Sequence, residues 1–390
     1  MRRILHGVKV LDLTHVIAGP YASFQLGLLG ANVIKVENPS NPDIARYMGV
    51  GCNHGMGTLF RAQSAGKRSV TLDLRLPGDR SQLLSLLEDA DVLIENYRVG
   101  ALSKFNLGYE DLKETFPKLI YCSLTGFGQT GPKASQNAYD NVIQATSGLM
   151  SLNGDHRSWP LKVGAPIIDY ATGLMAAFAT MAALYDREKT DQGQHIDVSM
   201  LETALSLMSV NVLGLSETKG RIERPDSRAQ GHPGLSVYKT ANGEIMLGAM
   251  TERQLSRLLT FLEKPEVRVS SKNSEEIFAK TDIQLFLESK FPEKSADYWE
   301  RELNEKGIPA QKVRTLHEAI NDPHSQERNG FIQSGDGFIP NTGFRFSNAH
   351  VAPTCPAPHI GQHNEELLRK LPKRYLTTVQ TKENLDVLSL

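Results

Sequence analysis

Between Val8 and Leu124, short apolar runs recur at intervals that leave room for one helix each. Val8–Leu13, Asn32–Glu37, Ser69–Leu74, Val92–Glu95 and Leu119–Leu124 are strand candidates rich in β-formers. The segments between them carry helix signals. Pro20 fits the first turn of a helix running to Leu29, Gly30 suits its C-terminus, and Ser81–Ala90 spaces its leucines at helical intervals. Strands alternating with helices commit the chain to a sheet covered on both faces. The expected fold class is α/β: a doubly wound, mostly parallel sheet in a large domain, with a smaller α+β domain.

From Asp169 the character changes. Tyr170–Arg187 is rich in Ala and Met without proline and reads as a long helix. Gln194–Val198 is a strand or extended link, and Met200–Ser216 a second apolar helix. The polar stretch Lys219–Arg228 reads as a linker. A hairpin follows, with Asn242-Gly243 as its turn between Leu235–Lys239 and Glu244–Gly248. Charged amphipathic helices are expected at 251–263, 273–289 and 295–306, and a closing helix at Asn364–Leu371 after the turn-rich Pro340–Pro358. The expected boundaries are 1–215 plus 335–390 for the large domain, 216–229 for a linker, 230–330 for the small domain and 331–345 for a return linker. A length of 390 residues fits two or three domains and a core that needs no staples.

Charge excludes some functions. Forty-three basic against 44 acidic residues leave a net charge of -1, which argues against nucleic acid or an anionic membrane as the main partner. Cys52, Cys122 and Cys355 are far apart, form no CxxC pair and no zinc spacing, and suit a reducing compartment, so no metal is expected. The N-terminus has no apolar h-region and no run of about 20 apolar residues is seen, so a cytoplasmic protein without a membrane span is expected.

Several familiar site motifs are missing: a GxGxxG after the first strand, GxxxxGK[ST], HExxH and GxSxG. Gly126–Gly131 matches GxGxxG by letters, but Pro132 and a polar stretch follow in place of a clear helix, which argues against a dinucleotide site. Asp169 stands out among the acids. It is flanked by Pro166, Ile167 and Ile168 on one side and Tyr170 and Ala171 on the other, just before a long helix. Such an Asp is a preferred N-cap. The same placement is compatible with a carboxylate kept ionised by a helix N-terminus and able to attack an acyl carbon without a general base. Gly164 and Gly173 would let a bulky substrate approach. Tyr139-Asp140 reads as a helix N-terminus carrying a buried aromatic, or as part of a site. Asn96-Tyr97-Arg98 and Arg75 follow strand ends, the edge where open α/β sheets bind ligands. Together with Lys67-Arg68 and Lys104 they are either solvated surface charge or a phosphate-binding set.

In order and spacing these segments resemble the class III CoA-transferases, the family of formyl-CoA transferase and carnitine CoA-transferase. The resemblance is carried by Gly7–Pro20, Leu29–Glu37, Lys67–Leu74, Ala90–Arg98, Leu124–Pro132, Gly193–Glu202, Gly307–Ala310, Asn321–His324 and Ala357–His363, nearly the whole chain. It implies a Rossmann-like large domain, an interlocked homodimer, and CoA transfer from an acyl-CoA to a small carboxylic acid with no permanently bound cofactor. It places the nucleophile on Asp169, where aspartyl anhydride and aspartyl-CoA thioester intermediates would form. The implied CoA contacts are Val16, Ala18, Leu72, Arg75, Asn96, Tyr97, Arg98 and Lys104, with Tyr139 lining the site. Racemases that resemble the family carry a histidine base where Tyr139 stands. Tyrosine, with a pKa of roughly 10, is a poor base at neutral pH, which favours transfer over 2-methylacyl-CoA racemisation. Ile17 replaces a glutamine of the formyl-CoA branch, and Gly231-His-Pro-Gly234 a glycine-rich loop, which argues against a formyl or oxalate preference. Asn38 replaces an arginine near the adenine. A CoA-binding protein without turnover, in which Asp169 only caps its helix, is the remaining alternative.

Overall fold

The computed structural model describes residues 2–51, 55–154, 158–218, 232–264, 282–335, 337–369, 371 and 375. Two compact units emerge: residues 1–147, 164–212 and 328–390, and residues 148–163 with 213–327.

The first unit holds six parallel strands: β1 Lys9–Asp12, β2 Asn32–Glu37, β3 Arg68–Thr71, β4 Val92–Glu95, β5 Ile120–Thr125 and β6 His195–Ser199. Their order is β3-β2-β1-β4-β5-β6, so the chain reverses its direction of travel across the sheet between β1 and β4. The helices are α1 Ala18–Leu28, α2 Thr58–Ser64, α3 Pro77–Leu87, α4 Tyr109–Leu112, α5 Asp140–Thr146, α6 Ile167–Thr190 and α7 Met200–Leu207. Both faces of the sheet carry an apolar core, which is why most of the strands read as largely apolar runs without strict alternation. Val10, Val92, Ile94, Ile120 and Cys122 face one core with Ala22 and Leu26 of α1 and Ala176 and Ala177 of α6. Leu11, Ile34, Val70, Leu93 and Tyr121 face the other with Leu83 and Leu87 of α3. The edge of β3 is closed by the returning chain. Ser69 O accepts from His363 N at 2.9 Å and Thr71 N donates to Asn364 Oδ1 at 2.9 Å.

The helix expected from Met200 to Ser216 is broken. α7 ends at Leu207, Met208 takes φ -105° and ψ 26°, and α8 runs Ser209–Glu217. Hydroxyls compete with the helix here: Thr203 Oγ1 donates to Ser199 O, Ser206 Oγ to Thr203 O and Ser209 Oγ to Ser206 O. α6 has the length and apolar composition of a membrane-crossing helix, contrary to the sequence expectation. Part of its apolar surface is core, among it Ile168, Ala176, Ala177 and Leu184, while Leu174 and Phe178 are exposed. Gly173 presses on α1: a Cβ there would lie 2.6 Å from Ala18 O and 3.2 Å from Ala22 N. Its bareness serves helix packing, not the substrate access read from the sequence. Gly173→Val is expected to lower the urea midpoint, costing about 1–3 kcal/mol through overpacking.

The second unit contains the antiparallel sheet β7 Val237–Lys239, β8 Glu244–Leu247 and β9 Ala310–Lys312. β7 and β8 form the hairpin expected from Asn242-Gly243, with Gly243 at φ 90°. Helices Glu252–Phe261, Asp282–Lys290 and Ala296–Glu305 pack around Tyr238, Phe291 and Trp299. The expected linker Lys219–Arg228, Cys52 and the first half of the helix expected at 273–289 lie outside the described residues. Two boundaries differ from expectation. Gly148–Val163 groups with the second unit, and the stretch read as a return linker contains a hairpin, Phe331–Ser334 with Gly337–Pro340.

Candidate active site

Loops leaving the carboxyl ends of β1 and β4 meet where the strand order reverses, the place where doubly wound sheets bind ligands. His15 N donates to Asn96 Oδ1 at 2.8 Å, and Asn96 Nδ2 returns to His15 O at 2.9 Å. His15 Nε2 lies 3.2 Å from Tyr97 Oη. Burial and Lys35 lower the His15 pKa, so the ring is neutral at physiological pH. Glu95, whose pKa burial raises to about 7, accepts from Tyr97 N at 2.8 Å.

The loop Thr14–Ala18 rests on buried charge. Lys67 Nζ reaches Asp12 Oδ2 at 2.8 Å and Pro20 O at 2.9 Å, and Lys35 Nζ reaches Thr14 O at 2.6 Å and Asp43 Oδ2 at 3.1 Å. Burial works against the Asp12 anion, but Lys67 and Lys35 outweigh it and hold the pKa below the usual carboxylate range. Val16 sits at φ 70°, a region that β-branched residues avoid. Its N–H donates to Asp43 Oδ1 at 3.0 Å, and the same oxygen accepts from Ala45 N. The strained backbone is therefore held from beneath by a carboxylate that is itself ion-paired.

Two cavities open on this edge. One, of about 290 Å³, is lined by Leu72, Arg75 and Tyr97 with Asn38, Leu102 and Phe105. The other, of about 330 Å³, is lined by Val16, Ala18, Asn96, Arg98, Tyr139 and Asp169 among others. His15 and Tyr97 line both. Of the nucleophile, the CoA contacts and Tyr139 implied by the resemblance, only Lys104 stands outside both linings. It lies in the single turn Ser103–Phe105, where Leu102 and Phe105 turn inward and Lys104 faces solvent. Lys67 and Arg68 do not act as free phosphate-binding cations. Lys67 is 1% exposed and committed to Asp12, and Arg68, at the start of β3, pairs with Glu366 at 2.9 Å. Arg75 is exposed and paired with Asp73 at 2.6 Å. The Gly126–Gly131 loop leads into no helix at Pro132, and Gly126 lines the second cavity.

Asp169 is not the cap of its helix. α6 begins three residues earlier than the sequence suggested, with Pro166 at the N-cap and no side-chain cap of its own. Its first amides are taken from outside. Asp140 Oδ2 accepts from Ile168 N at 2.7 Å and Asp169 N at 3.2 Å. The Asp169 carboxylate is left half-buried on the cavity wall, with no hydrogen bond from the described residues. Burial, and then the charge of Asp140, raise its pKa to about 7. Tyr139 is not buried as the sequence suggested. It is the N-cap residue of α5, 67% exposed, and lines the same cavity. Asp140 is the residue that sequence reasoning passed over. Its position beside Tyr139 was noted, but nothing local indicates that it serves a helix 28 residues away.

A doubly wound sheet with two cavities at its reversal point and an unpartnered carboxylate on the wall of one of them is the layout of an α/β protein that binds its ligand at the carboxyl edge of the strands. Comparison with known proteins narrows this class. Residues 5–364 match the model of CoA-transferase family III, and the chain belongs to that family. It is 32% identical over 376 residues to the succinyl-CoA:glutarate CoA-transferase of Homo sapiens, covering 94% of this chain and 86% of that one. To the succinyl-CoA:mesaconate CoA-transferase of Haloarcula hispanica it is 32% identical over 392 residues, covering 93% and 95%. Among solved structures, a CAIB/BAIF family protein from Brucella suis superposes with a TM-score of 0.85 at 30% identity, covering 95% of this chain and all of that one. The protein is a class III CoA-transferase.

Proposed function

We propose that the enzyme moves CoA from succinyl-CoA to a five-carbon dicarboxylic acid through covalent intermediates on Asp169. The observation that carries this reading is the Asp169 carboxylate, freed from capping by Asp140 and held at the wall of the cavity. An Asp169 oxygen attacks the donor's thioester carbon. The C–S bond breaks, CoA leaves as thiolate, and a mixed anhydride forms. The thiolate attacks the aspartyl carbonyl, releasing the donor acid and leaving an aspartyl-CoA thioester. The acceptor carboxylate attacks that carbonyl and expels the thiolate, forming a second anhydride. Thiolate attack on the acceptor's carbonyl then gives the new acyl-CoA and restores the Asp169 carboxylate. No proton is gained or lost, so no general base is required, and Tyr139 is a wall of the site and not a base.

In this reading the CoA moiety runs from the cavity at Leu72 and Arg75, past Tyr97, to Val16, Ala18, Asn96 and Arg98 beside Asp169. Lys104 contributes only long-range charge. Succinyl-CoA as donor, and glutarate or mesaconate as acceptor, follow the names of the two relatives. The test is a matrix of succinyl-, acetyl- and formyl-CoA against glutarate, mesaconate, oxalate and monocarboxylic acids. The succinyl-CoA row with five-carbon diacids is expected to turn over fastest. Preference for formyl-CoA and oxalate, or deuterium wash-in at the α-carbon of a 2-methylacyl-CoA without an acceptor, contradicts the assignment.

The raised pKa of Asp169 sets a pH dependence. Attack needs the anion, so kcat/KM for the donor is expected to fall tenfold per pH unit below about 7 and to level above it. An acid limb near pH 4 instead would show that a different group controls the attack.

A second copy of the chain is proposed to complete the molecule. No residue of α8 is buried; Val210 is 84% exposed and Leu213 60%, while Phe178 and Leu174 on α6 are 65% and 49% exposed. Apolar faces of this extent suit an interface, and the family resemblance implies interlocked copies. Light scattering is expected to give twice the 43.1 kDa chain mass. A cytoplasmic location is proposed for an enzyme whose substrates are CoA thioesters.

A further inference from the structure

We propose that Asp140 is a positioning residue for the transfer reaction: its carboxylate fixes the first turn of α6 against α5 and so holds Asp169 and Tyr139 at a set separation across the cavity. The proposal rests on the reading of Asp169 as nucleophile.

The geometry is specific. A helix start leaves its first N–H groups without partners, and Pro166 supplies no side chain to satisfy them. Asp140 Oδ2 takes two of these donors, Ile168 N at 2.7 Å and Asp169 N at 3.2 Å. The second donor is the amide of the nucleophile itself, so the Asp169 backbone is anchored directly. The other Asp140 oxygen is occupied as well: Oδ1 accepts from Gln144 Nε2 at 2.5 Å, one turn along α5. Gln144 is 1% exposed and Asp140 8%, so neither is free to swing away.

Asp140 sits beside Tyr139 at the start of α5, and Tyr139 faces the cavity with Asp169. One carboxylate therefore ties two cavity walls together. It does not itself line the cavity and acts through Asp169. Taking over the cap also leaves the Asp169 side chain with no competing local bond. A nucleophile that turned back to cap its own helix would point its oxygens at the backbone instead of the thioester.

The variants Asp140→Ala and Asp140→Asn separate this role from general stability. Asn offers the same acceptor oxygen to α6 and is an N-cap as good as Asp, and a rotated Gln144 amide can accept from its NH2. Alanine removes the tie. A loss of alignment of about 1 Å typically costs on the order of 100-fold in rate. Asp140→Ala is therefore expected to lower kcat roughly 100-fold with donor KM within about threefold, and Asp140→Asn to recover kcat to within about tenfold of wild type. The rate of covalent labelling of the Asp169 peptide by succinyl-CoA is expected to drop in parallel with kcat.

Unchanged kcat in Asp140→Ala, or a rise in KM alone, overturns the proposal. So does an Asp140→Asn enzyme that folds to the wild-type melting temperature but stays about 100-fold slow, because the hydrogen bonds would then not be the cause. If Asp140→Ala fails to fold, the Asn variant still decides. Wild-type enzyme that turns over without labelling Asp169 refutes the nucleophile reading; labelling at an equal rate in wild type and Asp140→Ala refutes only the role of Asp140.

Discussion

Asp169→Asn is expected to lower transfer by about four orders of magnitude or more, the scale seen when a covalent nucleophile is removed, and at the same time to raise the melting temperature. The activity loss follows from chemistry: an amide cannot attack a thioester and be regenerated. The stability gain follows from the environment. The carboxylate is half-buried, carries no hydrogen bond from the described residues, and feels the charge of Asp140, so its pKa is raised to about 7 from the ordinary 3.8. A raised carboxylate pKa means that the folded state keeps a proton the unfolded chain has lost. Stability from this group is thus present below pH 3.8, declines as pH rises, and is lost once pH passes about 7. The Asn variant is free of this penalty. Its melting temperature is expected to exceed that of wild type at pH 8 and to converge with it near pH 4. A variant that loses both activity and stability at pH 8 would identify Asp169 as a structural residue. The trade of stability for function is common at active sites.

Lys67→Met carries the second large effect, on stability. Lys67 and Asp12 are 1% and 0% exposed by side chain and 2.8 Å apart. Removing one member of a buried pair leaves an uncompensated charge and costs about 3–5 kcal/mol. Lys67 also donates to Pro20 O, so α1 loses an anchor beside the loop that carries Val16. The variant is expected to unfold at markedly lower urea, with the slope of the transition unchanged. Adding Asp12→Asn should recover part of the loss. The amide is uncharged, yet its oxygen still accepts from Thr14 N, now at 2.9 Å from Asp12 Oδ1. A single variant as stable as wild type would mean that the pair adds nothing to the fold.

Much of the large domain was legible because both faces of its sheet are covered. Strands with two dry faces are largely apolar on both, and β2 and β4 fall where their runs begin and end, Asn32–Glu37 and Val92–Glu95. Features that depend on distant partners were not legible. Lys67 looks like surface charge until Asp12, 55 residues away, is folded against it. Gly173 looks like room for a substrate until α1 is seen in contact with it. Asp140 belongs to a helix start 28 residues on, and no periodicity or capping rule reaches so far. Asp169 is the intermediate case. Local rules made it a cap, the order of surrounding motifs made it a nucleophile, and the fold gives the cap to another residue.

The most direct test of the account is covalent trapping. Wild-type enzyme is incubated with succinyl-CoA without an acceptor, reduced with borohydride, digested and read by mass spectrometry. The account predicts homoserine in place of Asp169, because only an activated aspartyl carbonyl is reduced, and an unchanged peptide when the donor is omitted. An unmodified Asp169 from enzyme shown to be turning over in the same buffer would contradict it.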